Sequence, residues 1–162
     1  MNYIKITKND IANGPGIRVV LWCSGCNHNC KNCHNPQTWD SNAGQPVTEE
    51  TYKEIALALE PEYINGITWS GGDPLHPNNR KDIENLILFV HDNFQKTQWL
   101  YTGYLWEDIK DLPFIKYIDF LVDGPFIEEL KDITLPFKGS SNQRIINVKQ
   151  SLKENKVILY KQ

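Results

Sequence analysis

The chain has 162 residues, 40% of them hydrophobic, and a formal net charge of −3 at pH 7. This length and composition predict one globular domain over residues 1–162, and the slightly negative charge argues against a nucleic-acid partner. Residues 1–8 carry no apolar segment of the signal-peptide kind, and no apolar run in the sequence reaches membrane-spanning length. We therefore expect a cytoplasmic protein without a membrane partner.

In chain order, the hydrophobic pattern predicts alternating strands and helices. The predicted strands cover residues 17–22, 64–69, 99–102 and 117–122, with short ones at 145–146 and 157–160. One predicted helix begins after Thr48, a good N-cap residue, and two more cover residues 81–94 and 106–110. Residues 136–142 are expected to form a loop. This order is typical of parallel βαβ units and therefore of an α/β fold.

Two segments that follow predicted strands are candidates for chemistry. The cysteine loop, Cys23 to Cys33, contains every cysteine of the chain and comes after the strand 17–22. The glycine turn, Ser70 to Pro74, comes after the strand 64–69. Ligands of parallel α/β folds bind at the carboxyl ends of the strands. We therefore expect the cysteine loop and the glycine turn to share one edge of the sheet.

The spacing of the cysteines leaves three interpretations open. The four residues are Cys23, Cys26, Cys30 and Cys33. They could form a buried stripe on one face of a helix, although the glycine and asparagines between them favour a loop. They could bind structural zinc, with help from His28 or His34, although zinc modules usually separate their ligand pairs by a longer spacer. Finally, three of the thiolates could hold a four-iron cluster and leave one iron open, whereas ferredoxin-type sites use four cysteines.

The Cys-x3-Cys-x2-Cys spacing within Cys26 to Cys33 resembles the signature of the radical S-adenosylmethionine superfamily, and the glycine turn stands where that superfamily has Gly-Gly-Glu. Further segments resemble the glycyl-radical-enzyme activases, in the branch that serves the anaerobic (class III) ribonucleoside-triphosphate reductase. These segments are Asn13–Arg18, Asn35–Trp39, Ser70–Pro77, Thr102–Tyr104, Leu121–Phe126 and Gly139–Arg144. The resemblance covers nearly the whole chain, from Asn13 to Asn147.

The resemblance implies a shortened partial (β/α) barrel of parallel strands with helices outside, and a [4Fe–4S] cluster held by Cys26, Cys30 and Cys33. It leaves Cys23 as an extra thiol, which we expect to pack as a small hydrophobic residue, with a role as a fallback ligand or an oxidation-sensitive thiol as the alternative. Arg144 is expected either to anchor a carboxylate or the reductase, or to be a solvated surface residue.

The resemblance also implies the contacts of S-adenosylmethionine. Asn32 and His34 flank Cys33 and would lie against the bound molecule, and Gly71 and Gly72 would meet its methionine end. Asp73 belongs to the same predicted cofactor contacts, but its carboxylate is shorter than the usual Glu, which puts a direct side-chain role in doubt. Residues 31–32 replace the aromatic that often touches the adenine, so Tyr101 or Tyr104 is the candidate for stacking.

The implied reaction begins with an electron from a reduced flavodoxin-like donor. Reductive cleavage of S-adenosylmethionine then gives methionine and a 5′-deoxyadenosyl radical, which takes a hydrogen atom from a glycine of the reductase. This homolytic step requires no general acid or base, so no catalytic side chain is assigned, and His76 and His91 are expected to be surface or packing residues. The alternatives are activation of a pyruvate formate-lyase type enzyme, a small-molecule radical reaction and a zinc-binding module. An oligomer is also possible.

Overall fold

The structure is a computed structural model that describes residues 1–161. Its strands are β1 (Asn2–Asp10), β2 (Arg18–Cys23), β3 (Gln45–Pro46), β4 (Gly66–Gly71), β5 (Thr97–Tyr101), β6 (Phe120–Asp123) and β7 (Arg144–Asn147). Its α-helices are α1 (Glu49–Leu59), α2 (Arg80–Asn93), α3 (Trp106–Ile109) and α4 (Val148–Glu154), and 3₁₀ turns cover Pro36–Thr38, Ile115–Tyr117 and Glu128–Leu130. Within residues 1–161, none of the helices combines the length and hydrophobicity that a membrane crossing requires.

The strands form one mixed sheet in the order β3-β1-β2-β4-β5-β6-β7. The four central strands β2, β4, β5 and β6 are parallel, and β1, β3 and β7 join them in antiparallel orientation. The predicted α/β fold with parallel strands is therefore confirmed. The partial barrel that the resemblance implies stays a prediction.

One face of the sheet is covered by the helices. Alternate residues point to the same side of a strand, and Leu21, Trp69, Leu100 and Leu121 form one register row across β2, β4, β5 and β6. All four are fully buried in the main hydrophobic core. The helices contribute the other side of that core through apolar residues at helical spacing, namely Ile55, Leu59, Ile83, Leu86, Ile87, Val90, Trp106, Ile109 and Val148.

The opposite face of the sheet is covered by loops. Val20, Thr68, Trp99 and Phe120 form the neighbouring register row on this side. The Thr68 hydroxyl donates to the carbonyl of Asn13 at 2.6 Å, and the Trp99 ring lies 5.5 Å from the ring of Phe137. The loops 11–17 and 131–143 therefore reach over this face, and the predicted loop 136–142 is confirmed.

Several elements and boundaries differ from the sequence prediction, including the short strand β3, which was not predicted. Strand β1 was not predicted, although Tyr3 is buried within it and it pairs with β2 along most of its length. Helix α4 was also not predicted, and the expected strand 157–160 is reduced to a single bridge between Ile146 and Leu159. Strand β6 begins at Phe120 because a 3₁₀ turn occupies Ile115–Tyr117. Strand β1 is set by its pairing with β2 and β3, which local periodicity does not report.

Candidate functional site

The cysteine loop and the glycine turn meet at the carboxyl edge of the parallel strands. Cys23, the last residue of β2, pairs in register with Gly71, the last residue of β4. Beyond the strands, the Gly72 N–H donates to the Cys23 carbonyl at 2.8 Å, and the Asp73 N–H donates to the Gly25 carbonyl at 2.7 Å. The predicted shared edge is thus confirmed, and the backbones of the two segments are directly hydrogen-bonded.

The two glycines of the turn are required by this close approach. Gly71 has a φ of 102°, which disfavours any residue with a side chain. A Cβ on Gly71 would lie 2.5 Å from the Cys23 backbone N and O, and a Cβ on Gly72 would lie 2.5 Å from the Gly25 carbonyl oxygen. The glycines therefore let the turn lie against the cysteine loop, in addition to any contact with a ligand.

The cysteine loop has an irregular conformation, so the helical-stripe interpretation is wrong. Asn29 and Asn32 adopt the left-handed conformation, with φ values of 52° and 57°, which asparagine tolerates better than most residues. The Cys33 N–H donates to the Cys30 carbonyl at 3.1 Å, closing a turn between the second and third thiols of the motif. The Cys26 N–H donates to the Trp39 carbonyl at 3.1 Å and anchors the start of the loop.

A cavity of about 480 Å³ lies beside these segments. Of the predicted site residues, it is lined by Cys26, Cys30, Cys33, His34, Gly71 and Gly72. Its remaining walls include Asn13 from the loop 11–17, Tyr101 at the end of β5, and the aromatic rings of Phe126 and Phe137. Asn32 and Asp73 do not line it, because Asn32 is exposed on the outside of the loop and Asp73 is buried behind it. The structure thus brings six of the eight predicted residues to one cavity.

The donor set of this cavity fits an iron–sulfur cluster. Thiolates are soft ligands that suit clusters of this kind, and the Cys26, Cys30 and Cys33 side chains all reach the cavity wall. In residues 1–161, no three His, Cys, Asp or Glu side chains converge closely enough to hold a single metal ion. Burial raises the pKa of Cys26 to about 11 and also raises the pKa of Cys30. These thiols become thiolates when a metal replaces their protons.

Asp73 is a buried residue whose carboxylate is hydrogen-bonded to several segments of the chain. Its carboxylate accepts hydrogen bonds from the Leu75 N–H at 2.8 Å, the Gly103 N–H at 2.9 Å and the Thr102 hydroxyl at 2.9 Å. The Nε2 atom of His28 lies 2.5 Å from its Oδ2 atom. Asp73 is 1% exposed, so this carboxylate is surrounded by groups of its own chain.

From the sequence, His28 was considered only as a possible zinc ligand, and its part in this site was not predicted. A histidine in a polar loop is usually solvated, but His28 is half-buried and lines the cavity. Its hydrogen bond with the Asp73 carboxylate raises the pKa of His28. Its ring packs edge-on against the ring of Tyr104, with centroids 4.8 Å apart. The signal in the sequence was its position between the first two thiols of the motif, Cys26 and Cys30.

The structure also places the other residues on which the sequence left alternatives. Cys23 is buried in the helix-covered core, outside the cavity, and burial raises the pKa of its thiol well above the usual range. Its expected packing role is confirmed.

Arg144 is neither free nor merely solvated, because its Nε and Nη2 atoms bind the carboxylate of Asp123 and its Nη2 atom also binds Glu107. Of the two stacking candidates, Tyr101 lines the cavity.

The two remaining histidines lie outside the cavity. His76 is buried, and its Nδ1 atom accepts a hydrogen bond from the Asn78 N–H at 3.1 Å. His91 is exposed on α2, and its ring centroid lies 4.5 Å from that of Tyr117. The expectation that His76 and His91 are packing or surface residues is therefore confirmed.

Comparison with known families agrees with this geometry. Residues 12–146 match the family model of a 4Fe-4S single cluster domain. An anaerobic ribonucleoside-triphosphate reductase-activating protein of Enterobacteria phage T4 is 47% identical over 146 residues, which cover 90% of this chain and 93% of the phage protein. Proteins of the same name from Salmonella typhi and Escherichia coli K12 are 43% and 42% identical over 148 residues, which cover 88% of this chain and 96% of each relative.

The chain belongs to the anaerobic ribonucleoside-triphosphate reductase-activating protein family. The resemblance inferred from the motifs is thereby confirmed at the level of the family. In this activating protein, the matched 4Fe-4S domain runs from the loop before β2 into β7. It therefore includes the cysteine loop, the glycine turn and the Arg144 ion pairs.

Proposed function

We propose that this chain activates an anaerobic ribonucleoside-triphosphate reductase by introducing a glycyl radical into it. The observation that carries the proposal is that three thiols and two adjacent glycines line one cavity at the carboxyl edge of the sheet. The names of the relatives supply the protein substrate, and the matched domain supplies the type of cluster.

In this proposal, Cys26, Cys30 and Cys33 hold a [4Fe–4S] cluster. The loop that carries them is anchored at its start by the Trp39 carbonyl and turns twice through left-handed asparagines. This conformation spreads the thiols along one wall of the cavity. Three protein ligands would leave one iron of a four-iron cluster without a thiolate, and that iron would be the place for S-adenosylmethionine.

Gly71, Gly72 and His34 are the proposed contacts of S-adenosylmethionine, since all three line the same cavity as the thiols. The two glycines expose backbone at the cavity wall without a side chain in the way. Asn32 and Asp73, the other two predicted contacts, do not line the cavity. Asp73 contributes instead through the backbone segments that its carboxylate holds.

When bound, the cluster and S-adenosylmethionine would supply the radical chemistry, namely reductive cleavage to methionine and a 5′-deoxyadenosyl radical. A reduced flavodoxin-like donor would provide the electron, and a glycine of the reductase would give up the hydrogen atom. The chain itself binds and orients the two cofactors and shields them from competing reactions. Phe126, Phe137 and Tyr101 provide the apolar walls for this shielding. No side chain has to move a proton in this reaction.

The test is anaerobic reconstitution with iron and sulfide, followed by reduction and addition of S-adenosylmethionine and the reductase. We expect a brown protein, release of methionine and 5′-deoxyadenosine, and a glycyl-radical resonance on the reductase. The Cys33→Ala variant is the matched control and should give none of the three. Cleavage of S-adenosylmethionine without a radical on the reductase would refute the partner. Stoichiometric zinc and no colour would refute the cluster.

A further inference from the structure

We propose that His28 and Asp73 form a positioning pair that holds the cysteine loop against the glycine turn and sets the placement of the three thiols. The inference rests on the proposed function, since it concerns the same cluster and S-adenosylmethionine site. It assigns a role to His28, which is not among the proposed cluster ligands or S-adenosylmethionine contacts, and it changes the role of Asp73 from a cofactor contact to a support.

Asp73 holds the cysteine loop at two points. Its backbone N–H donates to the Gly25 carbonyl at the start of the loop, at 2.7 Å. Its carboxylate Oδ2 lies 2.5 Å from Nε2 of His28, which stands between Cys26 and Cys30. The loop is therefore attached to the glycine turn on both sides of its first cluster thiol. A shift of Asp73 would move this thiol relative to Gly71 and Gly72.

The Asp73 carboxylate is itself rigidly held. An ionised carboxylate offers about four acceptor sites on its two oxygens. Leu75 N–H and the Thr102 hydroxyl donate to Oδ1, while Gly103 N–H, the Thr102 hydroxyl and His28 approach Oδ2. Its acceptor capacity is thus used by the protein, and the carboxylate is 1% exposed behind the cavity wall. Asp73 therefore acts through His28 and the backbone.

The position of the His28 ring is set by three further features. A Cβ on residue 103 would lie 2.5 Å from the His28 Cδ2 atom, so Gly103 makes room for the ring. Tyr104 packs edge-on against it, and the Arg80 guanidinium lies 5.5 Å from the centre of the Tyr104 ring. Loss of groups that orient the residues around a metal site commonly lowers metal affinity about 10- to 100-fold.

The pair can be tested by removing the hydrogen bond while keeping the ring. His28→Phe retains an aromatic side chain without a donor, His28→Gln retains a donor, and Asp73→Asn removes the charge. His91→Phe, at an exposed histidine on α2, is the matched control. Each reconstituted variant is assayed for iron retained after anaerobic gel filtration and for the resonance spectrum of the reduced cluster with and without S-adenosylmethionine. The unfolding midpoint of each apoprotein is measured in parallel.

We expect His28→Phe to retain iron about tenfold less tightly, as is typical when a residue that orients the metal ligands without binding the metal is lost. It should also alter the spectral shift that S-adenosylmethionine causes, and His28→Gln should restore part of both properties. His91→Phe should match the wild type. Because the two residues act as a unit, the double variant of His28→Phe and Asp73→Asn should lose no more than the worse single variant.

Wild-type iron retention and an unchanged spectral shift in His28→Phe would overturn the pairing. The pairing is equally refuted if His28→Phe lowers only the unfolding midpoint of the apoprotein, since the ring would then have a packing role alone. These readouts do not require the reductase. A wild-type protein that holds its cluster but forms no glycyl radical would therefore refute the proposed function and leave the test of the pair intact.

Discussion

Arg18 and Asp73 are buried charged residues at opposite ends of the parallel strands, and each is 1% exposed. At the amino end, the Arg18 guanidinium donates to the hydroxyls of Thr68 and Thr97 and to the carbonyls of Pro15, Ile67 and Thr97, at 2.9–3.2 Å. Burial lowers the pKa of Arg18 to about 10, so it remains charged at neutral pH. Its hydrogen-bond acceptors all belong to strands or to the loop before β2.

At the carboxyl end, Asp73 accepts from donors that come from three separate segments, and one of these is the cysteine loop. Both charges are satisfied by several hydrogen bonds, as buried charges must be. They differ in what they hold, because Arg18 joins parts of the scaffold and Asp73 joins the scaffold to the thiol-bearing loop. Loss of Arg18 should therefore reduce folding stability, whereas loss of Asp73 should mainly disturb the cofactor site.

The Arg18→Met substitution should have the largest effect on stability. It leaves five hydrogen bonds unmade, two of them to the buried acceptors Thr68 and Ile67, which we expect to cost about 3–5 kcal/mol. Arg18→Lys keeps the charge but lacks the planar set of guanidinium donors, so its loss of stability should be intermediate. Urea denaturation of the apoprotein measures both, with Lys153→Met as an exposed control. A loss below about 1 kcal/mol for Arg18→Met would contradict the role of Arg18 in the scaffold.

The Gly71→Ala substitution tests the contact between turn and loop. It combines a strained positive φ with a Cβ placed 2.5 Å from the Cys23 backbone, at an expected cost of about 2–4 kcal/mol. Gly124 is a matched control, because its φ is also positive, at 94°, but a Cβ there would meet its nearest atom only at 3.7 Å. Equal losses of stability in the two alanine variants would show that strain alone matters and that the close approach does not.

The Cys23→Ala substitution separates the buried thiol from those that face the cavity. Removing one sulfur from the core should cost about 1 kcal/mol of stability. Iron bound per chain after reconstitution should stay at the wild-type value, since Cys23 lies on the helix-covered side of the sheet. In parallel, Cys33→Ala should lose the iron. Loss of iron in Cys23→Ala would instead make Cys23 a ligand.

The Glu107→Gln substitution should have the smallest effect. Glu107 is an exposed partner of Arg144, and exposed ion pairs contribute less than about 1 kcal/mol. The hydrogen bond from Arg144 lowers the pKa of Glu107, so its contribution is present at neutral pH and is lost as the pH falls through that lowered pKa. The unfolding free energies of wild type and variant should therefore converge in acid. A difference in unfolding free energy that grows in acid would contradict this.

The sequence by itself determined the α/β class, the parallel strands that end in the cysteine loop and the glycine turn, and the edge that these segments share. These features follow from local periodicity, from residues that favour loops, and from the rule that parallel strands bring their carboxyl ends together. The spacing of the four cysteines left three interpretations open, and the resemblance of the motif to a known signature predicted that Cys26, Cys30 and Cys33 would serve one site. All three line the cavity.

Only the tertiary structure decided which side of the sheet Cys23 occupies, how the aromatic walls enclose the cavity, and that Asp73 faces His28 instead of the cavity. The contact between His28 and Asp73 joins residues 45 positions apart. No local pattern encodes such a contact, because it depends on the register between β2 and β4 and on the room that Gly103 leaves for the ring. The sequence alone therefore identifies the three thiols, whereas the contacts that hold their loop in place follow from the fold.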